Sequence, residues 1–376
     1  MMKRTILRRV LAVLAPIVAS LSVGLLLPSP WAAPAHAQTG GVGISATAPS
    51  ISAADWRAYR EAFLKPDGRI VDTGNGDISH SEGQGYGLLL SVAADDPATF
   101  AQIWTFTLTQ LLIRDDGLAA WKWVPDADPH IADINTATDG DILIVQALLR
   151  AANRWNNDTY RQHAIRMAAA IGKTLITQQD NLLLIMPGSQ GFSASERPDG
   201  PVVNLSYWIY DAFQSLESLD NTVDWAQVRA TGLILTREAR FGQYNLPTDW
   251  ISVRPNQQPR PAQGFDPVFG YNSIRIPLYL IQGGIVDTSL LEPFDQAWNQ
   301  SGEGRPAVVN VETNDIQQEL DEPGYRIQAA LVACVLRNTP VPSDLQSFQP
   351  TSYYGSSLHL LALSVLAENY PRCLST

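Results

Sequence analysis

Eleven segments of helical periodicity follow one another along the chain, at 53–64, 83–94, 97–113, 139–155, 158–178, 207–219, 224–240, 272–285, 287–299, 321–337 and 353–369. In each, apolar residues recur at the three- and four-residue spacing that builds one buried helix face. Only short pieces such as "NLLLIM" at 181–186 read as strand. Several neighbours are separated by very few residues, so antiparallel helix pairs are the expected unit. Neither a compositional break nor a repeat divides the chain after residue 50, and one all-α domain over 51–376 is the simplest account. With 45% hydrophobic residues, a sizeable core is available.

The first 37 residues have another character. Lys3, Arg4, Arg8 and Arg9 precede an apolar run from Val10 to Leu27, which ends in Pro28, Pro30 and the small-residue site "AHA". This is the pattern of a secretory signal cut after Ala37, followed by a small, polar lead-in at 38–50. The expected location is therefore outside the cytoplasm, periplasmic or secreted, with no membrane span left after cleavage. Removing residues 1–37 takes away four of the 26 basic residues and none of the 37 acidic ones, leaving a net charge of −15. Such a surface is a poor match for nucleic acid or an anionic membrane. Cys334 and Cys373 are the only cysteines; in an oxidising compartment they could form one bridge tying the C-terminal tail to a nearby helix.

Metal and cofactor chemistry find little support. The four histidines that outlast processing, His80, His130, His163 and His359, lie in no metal-ligand spacing, and neither a P-loop, a dinucleotide fingerprint nor a calcium loop is present. No cofactor is expected. Two long loops at 120–141 and 241–270 are rich in aromatics and proline, and loops on a rigid scaffold are where function tends to sit.

Two carboxylates stand out. Glu82 opens the stretch "SEGQGYGLLL", three residues after Ser79, in the spacing of a capping box. A capping glutamate does not need Gly83, Gly85 and Gly87 beside it, each costing roughly 1 kcal/mol inside a helix. The glycines are expected to leave open space for a bulky ligand. Asp139 lies in "ATDGDILIVQALLRAANRW", between Thr138 and Asp141, which themselves have capping-box spacing. Two carboxyl groups at open helix ends are what hydrolysis of a glycosidic bond requires: one protonates the leaving oxygen, the other activates water or stabilises the anomeric carbon. Ten tryptophans and twelve tyrosines could supply flat platforms for sugar rings.

These stretches, with "NLSYWIYDAF", "YNSIRIPLYL" and "YYGSSLHLLALSVL", occur in the order found in glycoside hydrolase family 8, and the chain resembles the periplasmic endoglucanases that accompany bacterial cellulose synthases. The resemblance runs from about Ala53 to Tyr370. It implies an (α/α)6 barrel of six inner and six outer helices that cleaves a β-1,4-glucan (cellulose) chain with inversion, and association with a cellulose synthase complex as a further possibility. By the same resemblance Glu82 is the general acid and Asp139 the carboxylate that holds the sugar distorted. Trp121, Tyr207 and Tyr271 are implied as substrate-binding aromatics, with Asn272 and Arg275 beside them in the cleft.

One departure matters. The family's cellulases carry an aspartate as general base where this chain has Asn272 in "YNSIR", and an amide is far too weakly basic to take the proton. Asp249 and Asp266, in the preceding loop, are the candidate replacements. Alternatives are hydrolysis of chitosan or mixed-linkage glucan, or glucan binding without turnover.

Overall fold

The computed structural model describes residues 48–299 and 304–374. The signal sequence at 1–37 and the lead-in up to residue 47 lie outside the described residues. Among the described residues, eleven α-helices form where the periodicity places them: α1 (Ala53–Phe63), α2 (Ser81–Ala93), α3 (Pro97–Phe106), α4 (Thr138–Arg154), α5 (Asp158–Leu175), α6 (Tyr210–Leu219), α7 (Trp225–Glu238), α8 (Ile276–Gln282), α9 (Thr288–Asn299), α10 (Pro323–Arg337) and α11 (Tyr353–Asn369). Their starts carry the usual signals. Ser52, Asp96, Asn157, Asp224 and Ser352 accept a backbone N–H of the first turn, and Pro97, Pro277 and Pro323 stand in first turns where no amide hydrogen is needed.

Six of these helices close a ring. Helix α2 packs on α4, α4 on α6, α6 on α8, α8 on α10, α10 on α11, and α11 back on α2. Helices α1, α3, α5, α7 and α9 pack outside it. This is an (α/α)6 barrel, with one difference from six full helix pairs. Between α10 and α11, where a sixth outer helix would stand, the described residues form only the 3-10 turn Ser343–Leu345. Burial follows the layering: α2 and α11 are buried nearly all round, whereas α1 buries one face through Trp56, Tyr59 and Phe63.

Strands are short and serve the loops. Ile176–Gln179 and Leu182–Ile185 form a hairpin; Val202–Val203, Ile251–Ser252 and Arg260–Pro261 form one antiparallel ribbon, and Val268–Phe269, Ala307–Asn310 and Ile316–Glu319 another. Lys122–Trp123 pairs with Ser79–His80, so both aromatic loops are pinned by backbone ladders. Two periodic segments enter their helices through tight turns, Leu205–Tyr207 before α6 and Ser273–Arg275 before α8. Cys334 in α10 is bonded to Cys373 after α11, so the bridge the sequence left open joins neighbouring inner helices.

Candidate active site

All six inner helices deliver their N-terminal ends to one cleft of about 560 Å³. Glu82 comes from α2, Asp139 from α4, Tyr207 from the turn before α6, Asn272 from the turn before α8, Glu322 from the residue before α10, and Tyr353 from α11. Unpaired N–H groups and the helix dipole favour negative charge at such ends.

Local structure explains how Glu82 is free to face this space. The capping box expected with Ser79 does not form: His80 is the N-cap, its Nδ1 accepting the Gly83 N–H at 3.1 Å. Ser79 and His80 pair with Trp123 and Lys122, and the Ser81 N–H continues the bridge to the Trp121 carbonyl at 3.0 Å, which brings the Trp121 loop to the start of α2. The second expected capping box is also replaced. Thr138 donates to the Met186 carbonyl, while Asp141 turns inward to accept from the Ala119 N–H at 2.9 Å and from the Thr136 hydroxyl.

The glycines do the opposite of what the sequence suggests. A Cβ on Gly83 would lie 2.8 Å from the Tyr353 hydroxyl, on Gly85 2.6 Å from the Leu143 Cβ, and on Gly87 2.6 Å from Ile70. A Cβ on Gly140 would lie 2.2 Å from the Ser81 Oγ and 2.7 Å from the Glu82 nitrogen. They open no wall of the cleft: Gly83 admits Tyr353 and Gly87 admits Ile70, while Gly85 and Gly140 let α2 and α4 cross almost backbone to backbone, and that crossing brings Glu82 and Asp139 together.

Arg275, 1% exposed, gathers the centre. Its Nη1 donates to Glu82 Oε2 at 2.6 Å, to the Tyr86 hydroxyl at 2.9 Å and to Asp139 Oδ2 at 3.1 Å; its Nη2 donates to Ser206 Oγ and to Asn272 Oδ1, both at 3.0 Å. Burial pushes the Asp139 carboxyl above its ordinary value; Arg275 draws it down, while the negative charge of Glu82 and a hydrogen bond to it push it up again. Asp139 therefore holds its proton to a higher pH than an isolated carboxyl would. Burial lowers the affinity of His80 for a proton, yet its hydrogen bond to Asp72 and the nearby charges of Glu82, Asp72 and Asp139 leave it raised.

The aromatic residues sit in the cleft wall. Trp121 is held by its Nε1 donating to Asp133 Oδ2 at 2.8 Å, Tyr207 packs edge-on against Trp250, and Tyr271, 41% exposed, donates its hydroxyl to Gln318. The two candidate bases are not brought into the cleft. Asp249 is 8% exposed, and its oxygens accept from the backbone N–H groups of Gly270, Asn272 and Ser273 and from Asn272 Nδ2. It anchors the turn that presents Asn272. Asp266 is exposed, in the loop between the strands Arg260–Pro261 and Val268–Phe269, and lies outside the cleft lining.

Asp72, His80, Glu322, Tyr325, Tyr353 and Tyr354 also line the cleft, and sequence reasoning passed them over. Glu322 and Ser352 stand immediately before a helix start, a signal legible in "EPGY" and "SYYG". That six helix starts converge was not.

The sequence matches the family description "Glycosyl hydrolases family 8" over residues 34–368. The chain belongs to glycosyl hydrolase family 8. This family 8 hydrolase is 36% identical over 265 residues to an endoglucanase of Cellulomonas uda, covering 69% of this chain and 72% of that one. Its fold resembles the endo-beta-1,4-glucanase CMCax from Acetobacter xylinum, with a TM-score of 0.77 and 33% identity over 85% of this chain and 99% of the other. It also resembles a GH8 endo-beta-1,4-glucanase from an Achatina fulica gut metagenomic library, with a TM-score of 0.75 and 34% identity over 84% and 97%.

Proposed function

We propose that this glycoside hydrolase is an exported endo-β-1,4-glucanase that inverts the anomeric carbon, working on β-glucan chains in the periplasm or outside the cell beside a cellulose synthase. The carrying observation is the pair of carboxyls, Glu82 and Asp139, clasped by one buried arginine at the floor of a cleft with aromatic walls. The endoglucanase relatives support the substrate class. Glu82 is the general acid, since it is the less buried of the two and lines the cleft. As the acid, Glu82 gives its proton to the glycosidic oxygen while the bond to the anomeric carbon breaks. Asp139, 2% exposed, lies beneath it and holds the bound sugar, while Trp121, Tyr207 and Tyr271 present ring faces and edges to neighbouring units.

The amide at 272 favours a second reading, glucan binding without turnover. Reducing-end release from carboxymethyl cellulose separates the two. Wild type is expected to be active and Glu82→Gln to lose at least about a hundredfold; equal rates in the two proteins would remove the hydrolase reading.

A further inference from the structure

We propose that Glu322 is the general base that replaces the missing carboxylate at position 272, a reading that rests on Glu82 as acid. An inverting hydrolase needs its base across the cleft from the acid, roughly 6.5–9.5 Å away with a water between. Around the ring, α8 stands opposite α2, and its start carries Asn272, whose oxygen accepts from Arg275 and whose nitrogen faces Asp249. That amide orients a water but takes no proton from it. Asp249 is occupied by four N–H donors, and Asp266 is outside the cleft.

Two other carboxylates line the cleft, Asp72 and Glu322. Asp72 belongs to the wall of the acid. One of its oxygens accepts the Gly74 N–H and the other lies 3.5 Å from His80 Nε2, two residues before Glu82. Glu322 belongs to the opposite side, at the start of α10, the neighbour of α8 in the ring. Its Oε2 is fixed by the Ser352 N–H at 3.1 Å and hydroxyl at 2.6 Å. Its Oε1 receives no hydrogen bond from any described residue. Gly355 makes room for this placement, since a Cβ there would lie 2.5 Å from Oε2. Tyr271, Tyr325 and Tyr354 pack with ring centroids 6.0–6.3 Å apart in the same wall. A carboxylate with one oxygen anchored and one open, among rings that thin out bulk water, suits proton abstraction from a single bound water.

In the step, the water oxygen bonds to the anomeric carbon and its proton moves to Glu322 Oε1. The bond from that carbon to the leaving oxygen breaks, and the leaving oxygen takes the proton of Glu82. Solvent then returns the proton from Glu322 to Glu82, so that one water is consumed per bond.

The test measures kcat, KM and the pH profile on a soluble cello-oligosaccharide for wild type, Glu322→Gln, Glu322→Ala, Asp72→Asn and Glu82→Gln, with thermal unfolding as the folding control. Glu322→Gln retains an acceptor for Ser352. It is expected to lose about a hundredfold in kcat with KM within about threefold, and to lose the acidic limb of the profile. Sodium azide, an anion that needs no deprotonation, is expected to restore turnover in Glu322→Ala and yield the α-glycosyl azide, and to give no gain in Asp72→Asn. A loss below tenfold in Glu322→Gln, the absence of azide rescue in Glu322→Ala, or rescue in Asp72→Asn instead overturns the assignment while leaving Glu82 as acid. Wild type no faster than Glu82→Gln overturns both.

Discussion

Asp139 and Asp141 are two residues apart in the first turn of one helix, and their surroundings give them different tasks. Asp139 shares Arg275 with Glu82. Asp141 is wholly buried and ties the loop at 119 and 136 to α4; burial pushes its carboxyl up to about 7, although the Ala119 N–H and the Thr136 hydroxyl draw it down. A helix N-terminus favours the ionised form by at most about 2 kcal/mol, and desolvation outweighs that here. A carboxyl whose folded pKa lies above its unfolded one holds its proton more tightly in the folded state. Its contribution to stability is complete below about pH 4 and is lost as pH rises through about 7. Melting temperature measured from pH 5 to 8 is therefore expected to fall more steeply for wild type than for Asp141→Asn, by roughly 2–4 °C for each kcal/mol lost. Parallel curves would show that Asp141 does not carry the effect.

At the scale of elements, the crossing of α2 and α4 decides where the proposed acid stands. Helix propensity alone says that alanine at Gly140 would stabilise by about 1 kcal/mol. The tertiary contact says the reverse, since the added methyl meets Ser81 and the Glu82 backbone. Forcing α2 away is expected to cost roughly 1–3 kcal/mol, and the displaced Glu82 should lower kcat. Urea unfolding of Gly140→Ala gives the sign directly, and a more stable variant would contradict the close crossing. Gln84 secures the other face of α2, its amide bonding the Ile70 N–H, the Gly68 carbonyl and the Thr107 hydroxyl. The helix that holds Glu82 is thereby locked on both sides.

Across the whole molecule, closure of the ring is what turns six helix starts into one cleft. The seam between α10 and α11 has only a 3-10 turn outside it among the described residues, and it is here that the Cys334–Cys373 bridge lies, with a sequence separation of 39. Closing a loop of that length restricts the unfolded chain by about 4 kcal/mol on the chain-entropy account. Replacing both cysteines by serine is expected to lower the melting temperature accordingly, and because α10 and α11 carry Glu322, Tyr353 and Tyr354, to weaken activity before the barrel unfolds. A shift equivalent to less than about 1 kcal/mol would mean that the seam is held by packing alone.

By itself the sequence determined which segments are helices, since the pattern is local and repeats every turn, and it singled out Glu82 and Asp139, since a carboxylate at a helix start is a short-range signal. It also carried Arg275 and the aromatic residues through motifs set in a fixed order. Only the tertiary structure decided what those signals meet. Glu82 and Arg275 are 193 residues apart, Gly140 is shaped by Ser81, and Asp249 is consumed by the turn that sequence proximity made it a candidate to serve. Glu322 looked like one more residue before a proline-led helix until ring closure set it in the lining of the same cleft as Asn272. Contacts between distant segments follow from how the helices close, and no window of one or two turns contains that information.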